Sequence, residues 1–207
     1  MTRTMGGPEP DGGGTKAQIL AVALRHFAAD GLNGTSLNDI ADEVGVARSS
    51  LLHHFPSKDA LYRAVVLDEF GDWFDLLGEA IGTVDHGWPQ VEKVLRAAFR
   101  FFEERPEFVR LARREALDGS IVTDELGAGL RPLFERGAAW LEQEMDGGRL
   151  RRYDAAQLII TGYGAVLSYL SDAALITALL DADPLTPDAL AVRREHVLAL
   201  LRTALEP

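Results

Sequence analysis

The chain has 207 residues, 47% hydrophobic and 26% charged, with a net charge of −11 and no cysteine. That composition predicts a soluble globular protein with an ample core, in one large domain or two small ones. It excludes disulfides and thiolate metal sites and allows a reducing cytoplasm. The acidity is uneven: up to Arg63 six basic residues face seven acidic ones, and beyond it fifteen face twenty-five. A locally positive face is therefore possible in the N-terminal part, with few phosphate contacts.

Residues 1–14, MTRTMGGPEPDGGG, lack the apolar core of a signal peptide and read as a disordered, glycine- and proline-rich arm. Thr15 and Gln18 have capping-box spacing, opening a helix with Ile19, Leu20, Ala23, Leu24 and Phe27 on its apolar side and ending at Asp30-Gly31. Next comes TSLNDIADEVGVARSSLLHHFPSKDAL, from Thr35 to Leu61. Ser36 and Asp39 again have capping-box spacing; Ile40, Ala41 and Val44 share a face, and Gly45 supplies the left-handed corner that ends a helix. A second short helix, about Ala47 to Phe55, then packs back through Val46 and Leu51. Small Ala41 allows the steep crossing of a helix-turn-helix. The second helix presents Arg48, Ser49, Ser50 and His53 outward, where a DNA major groove would accept it. Arg48 suits guanine N7 and O6; Ser49 and Ser50 suit bases or phosphates; Ser36, His53 and Lys58 suit the DNA backbone.

Pro56 stops that helix and Ser57 caps a long one reaching about Ile81. Trp88-Pro89 and Pro106 open two more, the latter ending at Asp118-Gly119-Ser120. A looser segment with Gly127 and Gly129 leads to a helix from about Leu130 to Met145. Asp154 caps the most apolar stretch, Ala155 to Leu180; the polar residues spread along it argue for a helix buried on several sides rather than a membrane span. Thr186 and Pro187 open the last helix. No run alternates like a strand, so the fold class is all-α.

The run from Thr35 to Leu61 resembles the DNA-binding region of the tetracycline-repressor (TetR) family. The resemblance rests on Thr35, Ser36, Asp39, Ile40, Ala41, Gly45, Val46, Ser50, Leu51, His53, His54, Phe55, Ser57, Lys58 and Leu61. The chain departs from the pattern at Leu52, where the family usually has a tyrosine on the DNA backbone, and at Ala47, where a serine or threonine often caps the recognition helix. The resemblance implies a helix-turn-helix domain over 15–61 and a helical ligand-binding and dimerisation domain over 62–207. It also implies a homodimer through the last two long helices, a palindromic double-stranded operator, and a small apolar or amphipathic effector. Aromatics and one charged residue of the second domain are the candidates for lining the effector pocket: Trp73, Phe74, Phe99, Phe102, Phe108, Arg114, Trp140 and Tyr163. Arg114 and its neighbour Glu115 matter only if they point inward, since a buried charge needs a partner. Histidine spacing fits no metal motif, no phosphate loop or nucleophile elbow is present, and no catalytic residue, metal or cofactor is expected. The expectation is a cytoplasmic regulator, the alternative a small-molecule-binding protein of the same fold with little operator recognition.

Overall fold

A computed structural model of the chain describes residues 12–82 and 85–207. Most of the proposed N-terminal arm, residues 1–11, lies outside the described residues. Ten helices and no strand are found among the described residues. They form two compact units, which divide after Val66 rather than Leu61.

The first unit holds α1 (Gly12–Gly34), α2 (Leu37–Val44), α3 (Arg48–His54) and the start of α4 (Lys58–Ile81). α1 begins upstream of Thr15, so Thr15 lies inside the helix instead of capping it. Its interruption is where the sequence puts it, at Gly31 (φ 71°, ψ 177°), but one more turn follows to Gly34. The core of this unit is Ile19, Ala23, Phe27, Ile40, Ala41, Leu51 and Leu61, all essentially inaccessible, with Tyr62 edge-on to Phe27 at 5.0 Å. That apolar contact, rather than helix propensity, holds the two short helices α2 and α3, which would be marginal alone.

The corner between α2 and α3 is set by Gly45 (φ 79°, ψ 29°). Its N–H donates to the Ala41 and Asp42 carbonyls at 3.0 and 3.1 Å, and Val46 N–H donates to Ala41 O at 3.0 Å. A Cβ at Gly45 would meet nothing within 4 Å, so the demand for glycine is purely conformational. Gly45→Ala is accordingly expected to cost about 1–2 kcal/mol of stability, from the left-handed backbone alone; urea unfolding measures it, and an unchanged midpoint would refute the account.

The second unit contains the rest of α4, α5 (Gly87–Glu104), α6 (Pro106–Asp118), α7 (Thr123–Asp146), α8 (Ala155–Ser171), α9 (Ala173–Leu180) and α10 (Pro187–Leu205). Trp73, Phe101, Phe102 and Phe108 form its aromatic centre, with ring centroids 4.7–5.8 Å apart. Two expectations are corrected here. The segment expected to be loose is helical: α7 starts at Thr123, anchored by buried Val122 and Leu126, and runs through Pro132. Gly129 is there because of packing, since a Cβ would come within 2.9 Å of the Phe74 ring. The apolar stretch from Ala155 is not one buried helix but two, α8 and α9, bent by 76°. α9 has no buried residue, and Leu175 and Leu179 are 62% and 74% exposed. No single helix among the described residues is long and apolar enough to cross a membrane.

A buried carboxylate ties the start of α5 to the end of α7. Glu144, 2% exposed, accepts from Arg149 Nε and Nη2 at 2.6 and 2.8 Å, and from the Gly87 N–H at 2.8 Å; His86 Nδ1 lies 3.0 Å from it. The Arg149 guanidinium foremost, helped by His86 and the Gly87 N–H against the opposing effect of burial, lowers the Glu144 carboxyl from 4.5 to about 2. A carboxyl lowered on folding adds stability that is complete above its unfolded value and is lost as pH falls through its folded one. Stability should therefore decline between pH 4.5 and about 2. Glu144→Gln should remove that part of the acid dependence and cost about 2–3 kcal/mol at neutral pH, less than a fully enclosed pair because Arg149 meets solvent. Denaturant titrations at several pH values read both effects.

Candidate nucleic-acid interface and ligand cavity

Ser36 is the N-cap of α2, its hydroxyl accepting from Asn38 N–H at 3.2 Å, one residue earlier than the capping-box spacing suggests. α3 begins at Arg48, and the preceding Ala47 makes no side-chain cap bond. Leu51 turns into the core while Arg48, Ser49, Ser50 and His53 are all exposed, so four polar side chains share the outer side of α3. Arg48 Nη1 donates to Asn38 Oδ1 at 3.2 Å. That partner is neutral and exposed, and Asn38 is a neighbour of the row that the sequence pattern does not single out. Lys58 is half-buried. Its Nζ donates to the carbonyls of Thr35 at 3.1 Å and Asn33 at 3.4 Å, clamping the entry to α2. Ser57 Oγ accepts from Ala60 N–H at 3.0 Å and caps α4. His54 is half-buried.

The second unit encloses a cavity of about 390 Å³, walled by α4, α5, α7, α8 and α10. Trp73, Phe102, Trp140 and Tyr163 line it among aliphatic side chains, and no lining residue is charged. Leu130, Ile160 and Tyr163 line it too while being 37%, 53% and 42% exposed, so the cavity opens to the surface between α7 and α8. The volume lies at the small end of the roughly 300–1,000 Å³ typical of ligand sites. No group of three or more His, Cys, Asp or Glu able to hold a metal occurs among the described residues.

Residues 19–65 match the family described as bacterial regulatory proteins, tetR family, and residues 89–201 match the tetracyclin repressor-like C-terminal domain. The chain belongs to the TetR family. It is 30% identical over 168 residues to the HTH-type transcriptional regulator RutR of Escherichia coli, a match covering 81% of this chain and 79% of RutR. Its fold is similar to that of the ketosteroid transcriptional regulator KstR2 of Mycobacterium tuberculosis (TM-score 0.75, 18% identity, 93% of this chain and 95% of that one). It is also similar to that of the transcriptional regulator FadR from Bacillus subtilis, solved in complex with stearoyl-CoA (TM-score 0.68, 16% identity, 89% and 96%).

Within this family member, the structure brings four of the eight proposed pocket residues together and leaves four out. Phe99 and Phe108, both 1% exposed, belong to the core and do not line the cavity. Phe74 packs where the Gly129 Cβ would be, and Arg114 is half-buried away from the cavity. The inward charge is its neighbour Glu115, 5% exposed, which accepts from the Ser120 and Thr123 hydroxyls at 2.8 and 2.7 Å and fastens α6 to the start of α7. Among the wall residues missing from the proposed set is Phe134. Its helical periodicity is visible in the sequence, but only the packing of α7 on α8 shows which side faces the void.

Proposed function

We propose that the protein is a dimeric, cytoplasmic transcriptional repressor that leaves its palindromic operator when a small apolar or amphipathic molecule fills the cavity. The observation that carries this reading is the exposed row Arg48, Ser49, Ser50 and His53 on a helix held by a glycine corner. Arginine pairs bidentately with guanine, and the serines and histidine suit bases and phosphates. Ser36 and Lys58 would flank the row on the DNA backbone, Lys58 in exchange for its carbonyl partners. A dimer would set two such rows about 34–36 Å apart, one helical turn of DNA. Exposed apolar side chains on the last helices, Ile160, Val192 and Leu200, support pairing of α8 and α10 with their copies.

The charge-free lining supports an apolar effector, as does the stearoyl-CoA held by FadR. Trp73, Leu77 and Ile81 line the cavity from α4, the same helix that carries Lys58 and Leu61 in the first unit. Ligand can weaken operator binding only by as much as it prefers the conformation that does not fit DNA. The uncapped start of α3 at Ala47 supports one alternative, a ligand-binding protein of this fold with little operator recognition. A gel-shift titration against the DNA upstream of its own gene decides between them. A salt-sensitive, sequence-selective shift is expected, and no shift at low salt would favour the alternative.

A further inference from the structure

α8 and α10, whose exposed apolar side chains support pairing with a second copy, carry few charges. α8 has no Asp, Glu, Lys or Arg between Ala155 and Ser171. On α10, Arg194 pairs with Glu103 at 3.1 Å and Glu195 with Arg96 at 2.7 Å, while Arg202 pairs with Glu206, just past the helix end, at 2.9 Å. Two opposite charges are left over: Arg193 and Asp188 form no ion pair among the described residues.

Arg193 is half-buried and reaches from α10 to α8. Its Nη2 donates to the Ala165 carbonyl at 2.9 Å, and its guanidinium carbon stands 5.0 Å from the centre of the Tyr169 ring. Its Nε is buried and has no hydrogen-bond partner. A guanidinium that has lost part of its water and has no carboxylate in its own chain calls for an anion from outside. The preceding residue, Val192, is 71% exposed, so Arg193 borders a surface that itself calls for cover. Asp188 is exposed in the first turn of α10. It lies five residues from Arg193, about 7.5 Å along the helix.

Symmetry selects the occupant. In a two-fold interface the same patch meets its own copy, so a contact from one residue to another is repeated in reverse. A second copy therefore supplies an acid for Arg193 and a base for Asp188 together. We propose that Arg193 of each copy takes the Asp188 carboxylate of the other, giving two equivalent ion pairs that set the register of α10 against its copy. This rests on the reading of α8 and α10 as the dimer face and names the charges that specify the partner.

The test uses full-length Arg193→Asp and Asp188→Arg proteins, singly and mixed, weighed by native mass spectrometry. Each variant alone sets like charges opposite one another twice and should dimerise at least about tenfold more weakly than the unaltered protein. In the mixture both pairs regain one acid and one base, and the heterodimer should exceed either homodimer about tenfold or more. Lost packing of Arg193 on Tyr169 cannot produce that preference, because the Arg193→Asp subunit lacks it in the mixture too. Thermal melts establish folding. Arg193→Lys gives a second measurement that keeps the charge. A carbodiimide, which joins an amine to a carboxylate in contact, should link its new amine to Asp188 of the other copy; the unaltered protein, whose lysines are Lys16, Lys58 and Lys93, should show no link at this position. A heterodimer at its statistical share overturns the proposal, as does the absence of an Asp188 link between subunits. A monomeric unaltered protein removes the dimer reading and this pairing with it, whereas a dimer without heterodimer preference removes only the pairing.

Discussion

Arg48→Ala is expected to weaken operator binding by about 1–3 kcal/mol for each half-site, with sequence preference relaxed at one base pair. The side chain leaves the first residue of α3 and is held by a single 3.2 Å bond to the neutral Asn38 amide. Guanine offers two acceptors in its place, so the exchange gains a second hydrogen bond and loses little. Removing the guanidinium should leave folding intact, because the residue is exposed and the unit's core is formed by Leu51 and its neighbours. Fluorescence anisotropy at fixed salt measures the affinity, and competition with scrambled DNA measures the preference. If both are unchanged, α3 does not read bases. Lys58→Ala is the informative contrast: it removes the clamp onto Thr35 and Asn33, so a loss of stability should accompany any loss of affinity.

Phe108→Ala should cost about 3–5 kcal/mol of stability, which for a chain of this size lowers the melting temperature by roughly 6–20 °C. Phe108 is 1% exposed, stacked on Phe102 at 5.8 Å and edge-on to Phe70 and Phe101 at 5.0 and 5.2 Å. Deleting the ring opens a void that its neighbours cannot close without leaving their own contacts. Affinity for a cavity ligand should change far less than stability, which separates a core aromatic from a wall aromatic. Calorimetric melting and ligand titration on the same preparation check both halves. A strong loss of ligand affinity at unchanged melting temperature would place Phe108 in the pocket after all.

The helix-turn-helix geometry is legible in the sequence because its determinants are local. Ser36, Gly45 and Pro56 act through backbone conformations spanning a few residues, and the spacing of Leu51 against Arg48 and Ser49 decides which side of one short helix is polar. The errors in that region are also local: Thr15 looks like a cap only if the glycines before it are assumed not to be helical. The cavity was legible only as a class of residue. Phe99, Phe102 and Phe108 have the same chemistry and the same helical signal, yet one lines the void and two fill the core. The position of Lys58 in the motif points to the DNA backbone, while its bonds to Thr35 and Asn33 depend on α1, α2 and α4 converging.

By itself, then, the order of residues determined an all-helical chain, the helix-turn-helix and its outward side chains, and membership in a family whose motif spans consecutive turns. Tertiary structure alone decided which aromatics enclose empty space, that α9 stands apart from α8, and that Glu144 gathers Arg149, His86 and the Gly87 N–H across 57 residues of chain. The division has a physical reason. Caps, corners and apolar periodicity arise from interactions within a few residues, whereas a void or a buried carboxylate site exists only where distant segments pack together.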